Sequence, residues 1–138
     1  MKRSPFLKLL PGIVWFFVIL FLTCLPGDDI PEIGWLSDIH FDKIVHIGMF
    51  ALLVFLFHLP VFSSKEPDAT RIRYGITITV LCAMWGLAIE FIQKYWVPGR
   101  SFDLVDWAAD IAGCLIALWF CIWLITHKIR HFWLRNKI

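Results

Sequence analysis

The chain has 138 residues, of which 59% are apolar, 17% are aromatic and only 17% are charged, and its formal net charge is +2. A soluble domain of this length could not bury so many Phe, Trp, Leu and Ile side chains. The composition therefore excludes a soluble domain and predicts a membrane protein. The four cysteines lie inside apolar runs without C-x-x-C spacing. That placement is typical of small buried hydrophobes rather than of a disulfide framework or metal ligands.

Four apolar stretches are long enough to cross a bilayer, which takes about 20 residues of helix. They cover approximately residues 7–25, 43–62, 73–93 and 106–126. The connections between them are short, and short connections make neighbouring spanning helices antiparallel. Since no internal repeat or second domain is visible, the whole chain, residues 1–138, is predicted to be one all-α, four-helix transmembrane bundle.

The first stretch follows basic residues, as the apolar core of a signal peptide would. Residues 23–26, T-C-L-P, lack the small-residue pattern of a cleavage site, and residues 21–24, F-L-T-C, make a poor lipobox. We therefore expect an uncleaved first helix.

Basic residues are unevenly divided between the two sides of this topology. Ten of the 13 Lys and Arg residues fall on the side of both termini and the second connection, which leaves Lys43, Lys94 and Arg100 on the other. Short cytoplasmic segments of membrane proteins carry an excess of Lys and Arg. This bias predicts that both termini are cytoplasmic and that the first and third connections face outward.

The tail, residues 127–138, is basic and amphipathic. Such a segment is typical of an interfacial anchor against anionic headgroups, and we favour that function over nucleic-acid binding. His127 and His131 are four residues apart and could hold a metal, but an amphipathic tail explains them more simply.

Ionisable side chains are concentrated near the predicted outer ends of three spans. Glu90 lies about one turn from the end of the third span, Asp110 about one turn inside the fourth, and His46 at a similar depth in the second. A lipid-facing charge at the centre of a spanning helix costs about 3 kcal/mol on insertion scales. We therefore expect these three side chains to point into the bundle and toward each other.

Helical spacing supports this expectation, because residues three, four or seven apart share one helix face. The polar residues that share a face are Asp42 with His46, Glu90 with Gln93, and Asp103 with Asp106 and Asp110.

Simpler explanations exist for several of these residues. Asp42, Asp103 and Asp106 could act as helix caps or first-turn acids, and Lys43 could be a snorkelling interface residue. Glu90 and Lys94, spaced four apart, could simply form an ion pair that stabilises the end of a helix.

The motifs Asp42-Lys43-x-x-His46, Glu90-x-x-Gln93 and Pro98-Gly99-Arg100-x-x-Asp103-x-x-Asp106, followed by Gly113, form a recognisable set. Over residues 10–126 the chain resembles the VanZ-like family of small bacterial membrane proteins. The resemblance implies the fold, the polar site and a cell-envelope setting in the bacterial cytoplasmic (inner) membrane. It also implies a link to resistance to glycopeptide antibiotics such as teicoplanin, but no particular reaction.

Two positions depart from that family. It often has Asn where this chain has Asp110, which adds a negative charge to the site, and Tyr where this chain has Phe50. If the Tyr hydroxyl takes part in chemistry, this chain must work without it.

We expect the cluster to bind or process an amphiphile of the outer leaflet, either a membrane lipid or a lipid-linked envelope intermediate. His46 and Glu90 would exchange protons, and Lys43 and Arg100 would hold a phosphate or carboxylate. The candidate catalytic residues are His46, Glu90 and Asp106, and the candidate ligand-binding residues are Asp42, Lys43, Gln93, Arg100, Asp103 and Asp110.

Alternatives remain open. A divalent cation could lie between Glu90, Asp106, Asp110 and His46, whose oxygen-rich set suits Mg, Mn or Ca and tolerates Zn. The cluster could instead be a structural ion-pair network in a non-catalytic accessory protein that assists a membrane-protein partner. Transport has little support, because the predicted cytoplasmic half offers few polar residues to continue a path.

Overall fold

The computed structural model describes residues 5–25 and 41–128. Over those residues the chain forms four α-helices and no strand, and the fourth helix continues into a π-helical turn. The elements are α1, Pro5–Thr23; α2, Phe41–Phe62; α3, Asp68–Trp96; α4, Leu104–Trp123; and the π-helical turn, Leu124–Lys128. The prediction of an all-α, four-helix bundle is confirmed. Most of the first connection, residues 26–40, and the tail beyond residue 128, with its predicted anchor, lie outside the described residues.

Each of the last three helices begins before the span predicted from the sequence. Helix α2 starts at Phe41, α3 at Asp68 and α4 at Leu104, two to five residues early. Span prediction counts apolar residues, whereas helical hydrogen bonding continues through polar residues at the membrane surface. The second and third connections are therefore shorter than predicted, and cover residues 63–67 and 97–103.

Three helices are long and apolar enough to cross a membrane: α2, α3, and α4 with its continuation to His127. The apolar part of α1, Leu7–Thr23, is shorter. Large apolar side chains on all four helices remain exposed, for example Phe17, Met84 and Trp119. Lipid rather than water suits such a surface, so the chain is a membrane protein. The membrane concerned and the side faced by each terminus stay predictions.

The C-terminal end of α2 is closed by an arginine of α3. Arg71 Nε donates to the Val61 carbonyl at 3.1 Å, and Arg71 Nη2 donates to the Phe62 carbonyl at 3.3 Å. The last carbonyls of a helix have no partner within the helix, so Arg71 supplies donors that α2 lacks. This contact fixes the turn between the antiparallel helices α2 and α3.

Helix α2 packs against all three other helices, and most extensively against α4. At Gly113 the two backbones approach so closely that an added Cβ would lie 3.0 Å from Ile47 Cα. Helix α1 is held against α2 by Trp15, whose Nε1 donates to the Met49 carbonyl at 3.0 Å. The buried core, with Phe50 and neighbouring side chains, lies between the helices.

The antiparallel arrangement brings the start of α2, the end of α3 and the start of α4 to one end of the bundle, here called the polar end. The opposite end holds the connection 63–67 between α2 and α3. The close approach at Gly113 sets the register between α2 and α4, and thereby decides which polar residues meet.

Candidate functional site

Lys43 lies at the centre of an ion-pair cluster at the surface of the polar end. Its Nζ is 2.9 Å from Asp42 Oδ2 and 3.1 Å from Asp103 Oδ2, and it also contacts Asp106 Oδ1. An ammonium group has three N–H donors, so these three carboxylates occupy all of them. Lys43 is therefore engaged by its own chain and does not offer a free positive charge to a ligand.

One turn deeper, His46 of α2 contacts Asp110 of α4. The distance from His46 Nδ1 to Asp110 Oδ1 is 2.8 Å, and both residues are buried. An ionised carboxylate can only accept, so Nδ1 carries the proton and donates to it. The other ring nitrogen, Nε2, is then the one available for proton exchange, because a carboxylate at Nδ1 fixes both the ring and its tautomer.

Glu90 of α3 is fully buried and connects α3 to the start of α4. The Asp103 backbone N–H donates to Glu90 Oε2 at 2.8 Å, whereas Glu90 Oε1 has no hydrogen-bond partner. In a capping box, the third residue of a helix usually bonds to the backbone N–H of its cap. Here that third residue is Asp106, which contacts Lys43, and Glu90 of another helix takes its place.

Asp103 is both the N-cap of α4 and a member of the Lys43 cluster. Its Oδ1 accepts the Val105 backbone N–H at 2.7 Å, and its Oδ2 faces Lys43. The hydrogen bond from Val105, together with the charge of Lys43, lowers the pKa of the Asp103 carboxyl below its ordinary value. Capping, one of the simpler explanations of this residue, is correct and coexists with the cluster.

Asp110 leaves its second oxygen, Oδ2, buried without a hydrogen-bond partner. This oxygen lies against α3 at Gly86, where an added Cβ would be 2.7 Å from it and 3.2 Å from the Phe50 ring. Gly86 is four residues before Glu90, on the same face of α3. The sequence analysis missed Gly86, although this spacing was available to find it. Because residue 50 is Phe and not Tyr, its ring brings no hydroxyl group to this region beside Asp110 Oδ2.

Gln93 and Arg100 do not join the carboxylates. Gln93 Nε2 donates to the Thr23 carbonyl at 2.8 Å and so holds the end of α1. Arg100 follows Gly99, whose φ of 73° makes the turn, and it is half-buried. Its Nε has no hydrogen-bond partner, and within residues 5–25 and 41–128 no carboxylate pairs with it. The expected pairing of Arg100 in a buried network is thus not observed in this part of the chain.

Two of the alternatives find little support in this geometry. Lys94 is exposed and lies over the Tyr95 ring, 5.3 Å from its centroid, so it does not pair with the buried Glu90. No group of three or more His, Cys, Asp or Glu side chains in the described part of the chain is arranged to hold a metal ion. The proposed cation ligands meet only in part, as His46 with Asp110.

The family model for VanZ/LLP1 matches residues 10–126, which contain every residue of this site. This chain belongs to the VanZ/LLP1 family. Among curated relatives, an uncharacterized protein of the fission yeast Schizosaccharomyces pombe is 37% identical over 89 residues, 64% of this chain and 50% of that protein. The chain spans about half the length of that relative.

A relative of this chain therefore occurs in a yeast, and the bacterial setting expected from the resemblance stays a prediction. No solved structure matches the chain.

Proposed function

We propose that this VanZ/LLP1 protein binds an amphiphile, either a membrane lipid or a lipid-linked envelope intermediate, with its headgroup at the polar end. The observation that carries the proposal is a set of buried polar atoms without partners: Glu90 Oε1, Asp110 Oδ2 and Arg100 Nε. More than 90% of buried polar groups are hydrogen-bonded, and each one left unpaired costs about 1–3 kcal/mol. A headgroup that bonds to these atoms would recover that energy.

The depth of the site favours an amphiphile over a small soluble molecule. The polar residues lie within about one to two turns of the ends of three helices, which is the level of lipid headgroups. Exposed apolar side chains flank them, among them Phe91, Trp96 and Leu104. A ligand with a polar head and an apolar tail would match both surfaces.

Chemical turnover of the ligand is the second part of the proposal. His46 is suited to the role of general base, since Asp110 orients its ring and would stabilise the imidazolium that forms. Glu90 is suited to exchange the second proton through its unpaired Oε1. Asp106 is a weaker catalytic candidate than the sequence suggested, because Lys43 engages it.

The orientation and setting of the chain also belong to this proposal. Ten of the 13 basic residues fall on the side of the termini, which supports cytoplasmic termini. The bacterial inner membrane is the setting that the family resemblance implies. A C-terminal tag should then resist protease in intact cells and be cleaved after lysis. A contribution to glycopeptide resistance predicts that expression of the wild-type chain raises teicoplanin resistance and that Glu90→Gln loses this effect.

Native mass spectrometry of the purified protein tests the binding proposal. We expect a co-purified lipid on the wild-type protein and its loss in Arg100→Ala, with the thermal stability unchanged. Lys94→Ala is the control, because Lys94 is an exposed cation at the same end whose Nζ lies over the Tyr95 ring. Lipid retention by Arg100→Ala equal to that of the control would contradict the proposal and favour the structural network.

A further inference from the structure

Acidic and basic residues are separated along the molecule more sharply than the net charge of +2 indicates. By chain position, nine of the 11 Asp and Glu residues belong to the polar end or to the stretch 26–40 that joins α1 to α2 there. Only Glu66 and Asp68 belong by chain position to the opposite end, as do ten of the 13 Lys and Arg residues. In the sequence, acidic residues are therefore concentrated toward the polar end and basic residues toward the opposite end.

The same excess holds for the described side chains of the site. Five carboxylates lie with three groups that can carry positive charge, so negative charge is in excess when all five carboxylates are ionised. The carboxylates are Asp42, Glu90, Asp103, Asp106 and Asp110, and the cationic groups are Lys43, His46 and Arg100. A ligand with only negative charge would be repelled here. Three carboxylates of the same chain engage Lys43, so its contacts do not support the expectation that it holds a phosphate together with Arg100.

The contacts of Lys43 show how this cluster accommodates an ammonium group. Its upper carboxylates surround the Nζ atom, with Asp42 at 2.9 Å and Asp103 at 3.1 Å. The two deeper carboxylates, Glu90 and Asp110, each bond through one oxygen and leave the other without a donor. Both residues are fully buried. Both oxygens accept hydrogen bonds, and an N–H donor with positive charge would form the strongest ones with them.

We propose that the ligand headgroup is a zwitterion that carries a primary ammonium group as well as a phosphate. The ammonium group bonds to Glu90 Oε1 and Asp110 Oδ2, and the phosphate bonds to the guanidinium of Arg100. This inference rests on the proposed function and specifies its ligand as a lipid of the phosphatidylethanolamine type. A quaternary ammonium group fits less well, because it has no N–H to give to a carboxylate.

The gradation of burial provides a route for the ammonium group. The side chains of Asp42 and Asp103 are 60% and 43% exposed at the rim, whereas Glu90 lies beneath Asp103 and accepts its backbone N–H. The rim carboxylates would attract the headgroup, and the buried pair would retain it. Arg100, on the connection 97–103, stays near the surface, where a phosphate group lies.

Lipid selectivity of the wild-type protein in detergent tests this inference. Phosphatidylethanolamine, phosphatidylcholine and phosphatidylglycerol with identical acyl chains are titrated and read by native mass spectrometry. We expect phosphatidylethanolamine to bind at least about tenfold more tightly than either of the others, the ratio for one lost charged hydrogen bond. Equal or tighter binding of phosphatidylglycerol or phosphatidylcholine would overturn the zwitterion inference and leave amphiphile binding intact. Binding of none of the three would overturn both.

A titration with the free, water-soluble headgroup distinguishes binding of the lipid from binding of its headgroup alone. Free phosphoethanolamine should bind at least about tenfold more weakly than the lipid, since it buries no acyl chain. Binding of the free compound as tight as that of the lipid would overturn the lipid source.

Two variants test which residue binds the ammonium group and which binds the phosphate of the headgroup. Glu90→Gln keeps an acceptor for the Asp103 N–H and should lower the affinity for phosphatidylethanolamine to that for phosphatidylcholine. Arg100→Ala should weaken all three lipids by a similar factor. Glu66→Gln, an exposed carboxylate at the opposite end, is the control and should change nothing. Preserved selectivity in a folded Glu90→Gln protein would overturn the assignment, and the wild-type titration decides the inference if this variant does not fold.

Discussion

The two ends of the bundle both bury charged side chains, but they satisfy them differently. At the opposite end, Arg71 is 5% exposed, and its three nitrogens donate to the Val61 and Phe62 carbonyls and to Asp68. At the polar end, Glu90 and Asp110 are fully buried, and each leaves one oxygen without a donor. The first arrangement is complete within the described chain, whereas the second leaves two carboxylate oxygens that the proposed ligand would pair.

His58 is an exception at the opposite end, because it is buried there with one unpaired nitrogen. It is buried at the opposite end, where its Nδ1 lies 2.8 Å from the Val54 carbonyl and its Nε2 has no partner. A carbonyl only accepts, so Nδ1 holds the proton and Nε2 is a neutral acceptor. An unpaired neutral nitrogen costs less than an unpaired carboxylate oxygen. The polar end therefore holds the larger unsatisfied interaction.

The largest loss of stability is expected at Arg71, a buried charge whose nitrogens all donate hydrogen bonds. Arg71→Met removes the donors to the end of α2 and leaves two carbonyls and Asp68 without their partner. We expect a loss of about 2–4 kcal/mol in the free energy of unfolding. Thermal unfolding in detergent measures it, and lipid binding by the remaining folded protein should not change.

Arg73→Met is the matched control, because Arg73 lies two residues further on the same helix and is exposed. Its stability should stay within about 0.5 kcal/mol of the wild type. If the two variants were equally stable, the hydrogen bonds of Arg71 would not be what holds the opposite end together.

Each end of the bundle has a glycine that packs against an unpaired polar atom, so that Gly→Ala can be compared between the two ends. An added Cβ at Gly86 would lie 2.7 Å from Asp110 Oδ2, and one at Gly75 would lie 2.6 Å from His58 Nε2. Overpacking costs about 1–3 kcal/mol, and the better helix propensity of Ala offsets up to about 1 kcal/mol of it. We expect Gly86→Ala and Gly75→Ala each to lose about 1 kcal/mol of stability.

Their effects on the ligand should differ, because only Asp110 belongs to the proposed site. Gly86→Ala should weaken phosphatidylethanolamine binding, and Gly75→Ala should leave it unchanged; a titration of each variant measures this. Gly48→Ala is the control for both, since an added Cβ there meets nothing within 4 Å. Equal weakening by Gly75→Ala would show that the two ends are not independent.

The sequence predicted the helices well because apolar runs determine which segments enter lipid. It also predicted that polar residues of α2, α3 and α4 would meet, since their spacing places them on shared faces. What it could not predict was which atoms pair. The selection of Asp106 rather than Glu90 by Lys43 depends on the register between α2 and α4, which the Gly113 contact sets in three dimensions.

The same limit explains the two residues that left the expected cluster. Gln93 donates to Thr23 because α1 ends beside it, and no spacing within α3 contains that information. Arg100 lies on a connection, where helical periodicity gives no direction for a side chain. The roles expected for the site residues stay predictions, whereas the contacts among them are established by the fold.

The smallest effect concerns the cap that links the Lys43 cluster to helix α4. The pKa of Asp103 is lowered by its hydrogen bond from the Val105 N–H and by Lys43. Its ionised form therefore stabilises the fold above its unfolded pKa of about 3.9, and this contribution is lost as the pH falls through the lower folded pKa. Asp103→Asn keeps a good N-cap and removes only the charge.

At pH 7 we expect Asp103→Asn to be less stable than the wild type by about 0.3–1 kcal/mol, the usual value of an acid at a helix N-terminus. This difference should begin to shrink below the unfolded pKa of about 3.9, and it should be lost as the pH falls through the lower pKa of the folded protein. Unfolding of both proteins between pH 3 and pH 7 measures it. A difference that stays constant over that range would mean that the charge of Asp103 does not stabilise α4, and that its cap acts through the hydrogen bond alone.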